Sequence, residues 1–215
     1  MILDTFKEIK SQLQTGDLIL HSSSHLTSLG TKMITQSEYT HVAMILIMKD
    51  ADEILVYQSA NQPCAVDYYD KTMKSGVQVN SLDEHVKNYE GKMWIRRLEI
   101  QCTPNMLSEL EKFRKTVEGR SYEESFLEKS KSAIDFILPE NKENLSSIFC
   151  SELIAEAYQS MGILQKNEEG GQSSNEYVPK DFAKDNDSKL HLQLGARLGE
   201  EILIKEREFK ISHLT

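Results

Sequence analysis

The chain has 215 residues, 39% hydrophobic and 27% charged, enough for one sizeable hydrophobic core and ordinary for a globular protein. Its formal net charge of -9 excludes a general binder of nucleic-acid backbones, because that affinity rests on clustered Lys and Arg. The longest apolar run, Val42 to Met48, is too short to cross a bilayer, and the acids and lysines of residues 1–14 are unlike a signal peptide.

Taken in order, Ile2, Leu3, Phe6, Ile9 and Leu13 recur at helical spacing and predict an N-terminal helix over residues 1–14. GDLILH (16–21) reads as a strand, and SHLTSLGTKMIT supplies Leu26, Leu29, Met33 and Ile34 for a short helix or helical loop. HVAMILIM (41–48) is the strongest strand, and KDADE turns it into EILVYQSA (53–60), which predicts a hairpin. GVQVN (76–80) is a weaker strand, after which Ser81 and Glu84 have the spacing of a capping box for a helix through Tyr89. KMWIRRLEI (92–100) is a strand again. Thr103 and Pro104 then read as N-cap and first residue of a helix with Leu107, Leu110, Phe113 and Val117 on one face. A second helix is expected over 122–137 and a third over 148–161, closed by Gly162, with a polar loop at 167–176 and a last strand in EILIKE. Strands dominate the first half and helices the middle. That order favours an α+β fold, an antiparallel sheet packed against helices, in a single domain over 1–215 with a C-terminal strand extension from about residue 190.

Cys64, Cys102 and Cys150 are odd in number and widely spaced, with no CxxC pair, which suits a reducing compartment better than a disulfide framework. A cytoplasmic location follows as the expectation, the alternative being a bacterial effector exported without an N-terminal signal. Cys150 stands at the start of the helix expected over 148–161, where unpaired amides and the backbone dipole stabilise a thiolate and can hold an oxyanion. Free cysteine is also one of the most commonly buried residues, and Cys102 precedes a helix too, so position alone does not decide between a nucleophile and a small core residue. Cys64, in the loop QPCAV, has no such setting and reads as incidental. A nucleophilic thiol needs a base. His41 opens the most hydrophobic strand and His21 ends another, while His85, His191 and His213 lie in polar surroundings and read as solvated. His21 and His25 are four apart but have no carboxylate partner, so neither a metal nor another cofactor is predicted.

TGDLIL (15–20), SEYTHVAMIL (37–46), LVYQSA (55–60) and FCSELIAEAYQSMGIL (149–164), in that order, resemble the circularly permuted papain-like cysteine hydrolases of the YiiX and YaeF type, within the NlpC superfamily. SNEYVPKDFA (174–183) is similar to the Pro-containing segment after their cysteine helix. The resemblance implies that Cys150 is the nucleophile and His41 the general base. It puts Gln58 where these enzymes typically carry a glutamate that orients the imidazole; an amide can hold the ring but does not stabilise an imidazolium as a carboxylate does. Gly16 and Asp17 match the group's Gly-Asp and read as mainly structural. Asp17, Tyr39, Ser151 and Tyr177 are the candidate substrate contacts.

The activity so implied is amidase or peptidase chemistry through an acyl-thioester on a small peptide-like or acylated substrate. A lipid-directed thioesterase or acyltransferase, as in the related lecithin:retinol acyltransferase group, and an inactive ligand-binding module of the same fold stand as the alternatives.

Overall fold

The computed structural model describes residues 2–23, 37–61, 63–119 and 142–206. The helix expected over 122–137, the apolar residues Leu26, Leu29, Met33 and Ile34, and His25 and His213 lie outside them.

Six strands form one antiparallel sheet: β1 (Leu18–Ser23), β2 (His41–Leu46), β3 (Leu55–Ala60), β4 (Gly76–Ser81), β5 (Gly91–Leu98) and β6 (Leu198–Lys205). Their order across the sheet is β4-β3-β2-β1-β5-β6. The predicted hairpin is present, with Met44 opposite Tyr57 and Leu46 opposite Leu55. β2 and β3 are buried along nearly their whole length, which is why β2 reads as a continuous apolar run rather than as an alternating one.

Helices cover both faces. On one side α1 (Ile2–Lys10) and α2 (Leu82–Asn88) bring Phe6, Ile9, Leu82 and Val86 onto Ile19, Ala43, Ile45, Val56 and Ile95. On the other, α3 (Pro104–Val117) and α4 (Lys142–Ser160) bring Met106, Leu110, Ile154, Ala157 and Tyr158 onto Leu18, Leu20, Val42, Met44 and Tyr57. Successive side chains of a strand leave by opposite faces. Val42, Met44 and Leu46 therefore face α4, and His41, Ala43 and Ile45 face α1 and α2.

Three local expectations are corrected. The Ser81 side chain does not cap α2: its hydroxyl bonds the Glu53 carboxylate in the neighbouring hairpin loop. Thr103 does cap α3, accepting from the Met106 amide at 3.3 Å, but the buried face of that helix is Met106, Leu110, Arg114 and Val117, with Leu107 exposed. Finally, α4 begins at Lys142, so Cys150 is in the body of a helix and not at its first turn.

Two buried charges fix the frame. Asp17 accepts from the Gln14 amide at 2.9 Å and the Leu98 amide at 2.8 Å and pairs with Arg97 at 2.7 Å. Burial raises its pKa, against the pull of those three partners. Beside it Gly16 turns at φ +100°, with Leu98 Cδ2 only 2.7 Å from where a Cβ would stand. Arg96, fully buried, directs its donors at the carbonyls of Phe182, Leu198 and Gly199 and at the Asp187 carboxylate, tying β6 and the turn segment 179–189 to β5.

Candidate active site

Antiparallel pairing sets His21 directly across from His41, because Leu20 pairs Val42 one step along the ladder. Their rings stand 4.9 Å apart. Gln58, two residues beyond Val56 on β3, leaves the sheet by the same face, and its Oε1 lies 2.8 Å from His41 Nε2. Gln58 Nε2 in turn meets Asn80 Oδ1 at 2.7 Å. The three strands β2, β3 and β4 thus each contribute one side chain to a single polar line.

α2 lays His85 on top of this line. The helix presents Leu82, His85, Val86 and Tyr89 at helical spacing, and His85 is 2% exposed, contrary to the solvated setting expected for it. His85 Nε2 is 2.8 Å from His21 Nε2, its Nδ1 is 3.3 Å from Cys64 Sγ, and Tyr89 stacks on its ring. Cys64, expected to be incidental, is thus a thiol in contact with an imidazole. Sequence spacing could have found His85, since it lies at i+3 from Leu82 on the face that also carries Val86. Cys64 and Asn80 gave no such signal.

Burial dominates the electrostatics. Desolvation lowers the pKa of His41 to about 4, only partly offset by the Gln58 bond, and that of His85 to about 3. Burial also lowers the pKa of His21 well below the ordinary value, with the neighbouring imidazoles His41 and His85 adding to the effect. Three neutral imidazoles therefore share this interior at pH 7.

Cys150 lies on the α4 side of the sheet, fully buried. Burial pushes its thiol up to about 12, against bonds from the Val42 and Ser151 amides that favour the thiolate. The Val42 amide nitrogen is bonded to the His41 carbonyl carbon, so covalent geometry holds the sulfur within about 6 Å of the His41 Cα. The site thus brings Cys150 to the backbone of His41, whose imidazole bonds Gln58. Because α4 starts eight residues earlier, the oxyanion site expected from the Cys150 amide is not at a free helix end.

Of the remaining candidates, Asp17, Tyr39 and Ser151 are engaged within the fold. Asp17 stands at the far end of the β1–β2 pair from His41, wholly buried, and its oxygens serve the Gln14 and Leu98 amides and Arg97. Tyr39 packs edge-on against Trp94 and donates to Glu201 Oε2 at 2.5 Å. Ser151, next to Cys150, donates to the Tyr177 carbonyl at 2.5 Å. The Tyr177 hydroxyl is buried with no hydrogen-bond partner among the described residues. Among those residues no group of three or more His, Cys, Asp or Glu is arranged to hold a metal ion, and no helix is long and apolar enough to cross a membrane.

A permuted order, with the histidine strand ahead of the cysteine helix, an antiparallel sheet, and an imidazole held by an amide side chain are the features of a papain-like fold with its chain order rearranged. Residues 12–193 match the permuted papain-like amidase family of the YaeF and YiiX type, peptidase family C92, and the chain belongs to that family. Among solved structures it is similar to the crystal structure of the metalloprotein yiiX from Escherichia coli O157:H7, at 22% identity over 72% of this chain and 71% of that one, with a TM-score of 0.47. No curated protein matches the sequence.

Proposed function

We propose that the protein is a cysteine-dependent amidase or peptidase acting through an acyl-thioester on a small peptide-like or acylated substrate. Membership of an amidase family supports hydrolysis, and the observation that carries the assignment of residues is the 2.8 Å bond between His41 and Gln58 one residue from the amide that touches Cys150. In this reading His41 takes the proton of the Cys150 thiol and the sulfur attacks the carbonyl carbon. The C–N bond breaks as His41 returns the proton to the leaving amine, and water then cleaves the thioester. The Val42 and Ser151 amides, already directed at the sulfur, are the donors available there to the charge that develops. The Tyr177 hydroxyl, unpartnered among the described residues, is the candidate for substrate contact.

A second reading is favoured by one set of observations: Cys150 is fully buried, its thiol is pushed up to about 12, and its helix extends well before it. These are the properties of a core cysteine in an inactive ligand-binding module. One experiment separates the two. A panel of N-acyl amino acid amides, short peptides and acyl esters is incubated with the wild type, Cys150→Ala and His41→Ala. Turnover lost in both variants supports the hydrolase; full turnover in Cys150→Ala removes Cys150 as nucleophile; and absence of turnover with retained ligand binding supports the module.

A further inference from the structure

We propose that Asn80 is a positioning residue which, through Gln58, decides which ring nitrogen of His41 is free to take a proton; the proposal rests on His41 being the base in the reading above.

Two backbone carbonyls fix the polarity of this line of side chains. The Asn80 side chain is fully buried, and its Nδ2 lies 3.0 Å from the Ala65 carbonyl and 2.9 Å from the Val66 carbonyl. A carbonyl only accepts, so the group facing two of them is the amide NH2; the reverse orientation would set three oxygens against one another. Asn80 Oδ1 is therefore an acceptor, and its partner at 2.7 Å is the NH2 of Gln58. Gln58 then has only an oxygen left for His41, at 2.8 Å. His41 Nε2 carries the hydrogen that bonds it, and in the neutral ring Nδ1 holds the lone pair.

The same polarity runs into a second branch. The other N–H of Gln58 is directed at His85 Nδ1, 3.5 Å away, and Cys64 Sγ lies 3.3 Å from that nitrogen. Since an amide nitrogen cannot accept, His85 Nδ1 is the acceptor of both. The His85 hydrogen is on Nε2 and is donated to His21 Nε2 at 2.8 Å. The last proton falls on His21 Nδ1, a buried atom with no hydrogen-bond partner among the described residues. Two loop carbonyls thereby set the tautomers of three imidazoles. The role of an amide at position 58 follows: it passes the polarity on, whereas a glutamate would turn an oxygen toward Asn80 Oδ1.

The test uses the full-length protein, labelled with 15N histidine, at pH 7. The wild type is expected to show His41 protonated on Nε2 and bare on Nδ1, with His85 in the same form. Folded Asn80→Leu, of similar volume but with no acceptor to hold the Gln58 NH2, is expected to lose the single tautomer of His41 and move both nitrogens toward an averaged shift. A wild-type His41 protonated on Nδ1 overturns the proposal, as does a His41 tautomer unchanged in folded Asn80→Leu. Should the variant fail to fold, the wild-type carboxamide protons of Gln58 decide: cross-peaks to Asn80 and His85 support the assignment, and cross-peaks to the His41 ring overturn it. None of these readouts involves turnover. An inactive Cys150 would sink the hydrolase and leave the tautomers in place, and the converse result would do the opposite.

Discussion

The sulfur of Cys150 rests against the amide of Val42, the residue that follows His41, on the α4 side of the sheet. A thiol so buried, and pushed up to about 12, is protonated and shielded in the resting protein. Cys64 and Cys102 are only half-buried. Iodoacetamide at pH 7 is therefore expected to modify Cys64 and Cys102 before Cys150 in the free protein, read by peptide mapping. If the hydrolase reading holds, a bound substrate analogue reverses that order; labelling of Cys150 first in the free protein contradicts the buried geometry.

Gln58→Glu replaces a neutral acceptor by a carboxylate at the same 2.8 Å from His41 Nε2. An opposite charge at that distance favours the imidazolium and raises the pKa by about 1 to 3 units from its value of about 4. A base works only when unprotonated, so the acidic limb of the rate profile is expected to move to higher pH by that amount. An NMR titration of His41 measures the same shift without substrate. An unmoved titration would mean that residue 58 and His41 do not bond in solution.

Much of the sheet was legible because its strands are buried on both sides, and an uninterrupted apolar run such as VAMILIM, too short for a membrane span, fits the centre of a covered sheet. The hairpin, the Thr103 cap and the Gly162 stop followed from local chemistry that the fold leaves undisturbed. Where a tertiary partner competed, local chemistry failed. Ser81 and Glu84 have capping spacing, but the Glu53 carboxylate takes the hydroxyl. The start of α4 was invisible for a different reason: Lys142 to Ser147 hold one apolar residue, so no helical period is present to read.

The site divides in the same way. His41 and Gln58 stood out through family motifs on strong strands. Cys64 and Asn80 did not, since what joins them is the crossing of α2 and residues 63–66 over the sheet, which no spacing along the chain encodes; His85 lay on a readable helix face, at i+3 from Leu82. Asp17 reads from sequence both as structural and as a substrate contact, and its amide and Arg97 partners account for the first role alone.

Asp17→Ala tests that structural role. It leaves the Gln14 and Leu98 amides and Arg97 without their common acceptor inside the fold, a loss of about 3 to 5 kcal/mol for one member of a buried charged network. The expected result is a denaturation midpoint lowered accordingly, while the His41 nitrogen shifts of whatever remains folded stay at wild-type values. A destabilisation below about 1 kcal/mol would show that solvent reaches those donors.

The last prediction concerns acid. His21, His41 and His85 all have folded pKa values below the ordinary 6.5, so below that pH the unfolded chain binds protons that the folded chain refuses. Stability is therefore complete above pH 6.5 and falls as the pH drops toward 4, where His41 begins to protonate in place. Each histidine contributes at most about 1.4 kcal/mol per pH unit, the cost of one proton. Urea denaturation between pH 7 and 5 is expected to show this decline, and His85→Gln, which removes one titrating ring, should reduce its slope by about one proton. Stability independent of pH over that range would mean that these imidazoles are hydrated and titrate as freely in the folded protein as in the unfolded chain.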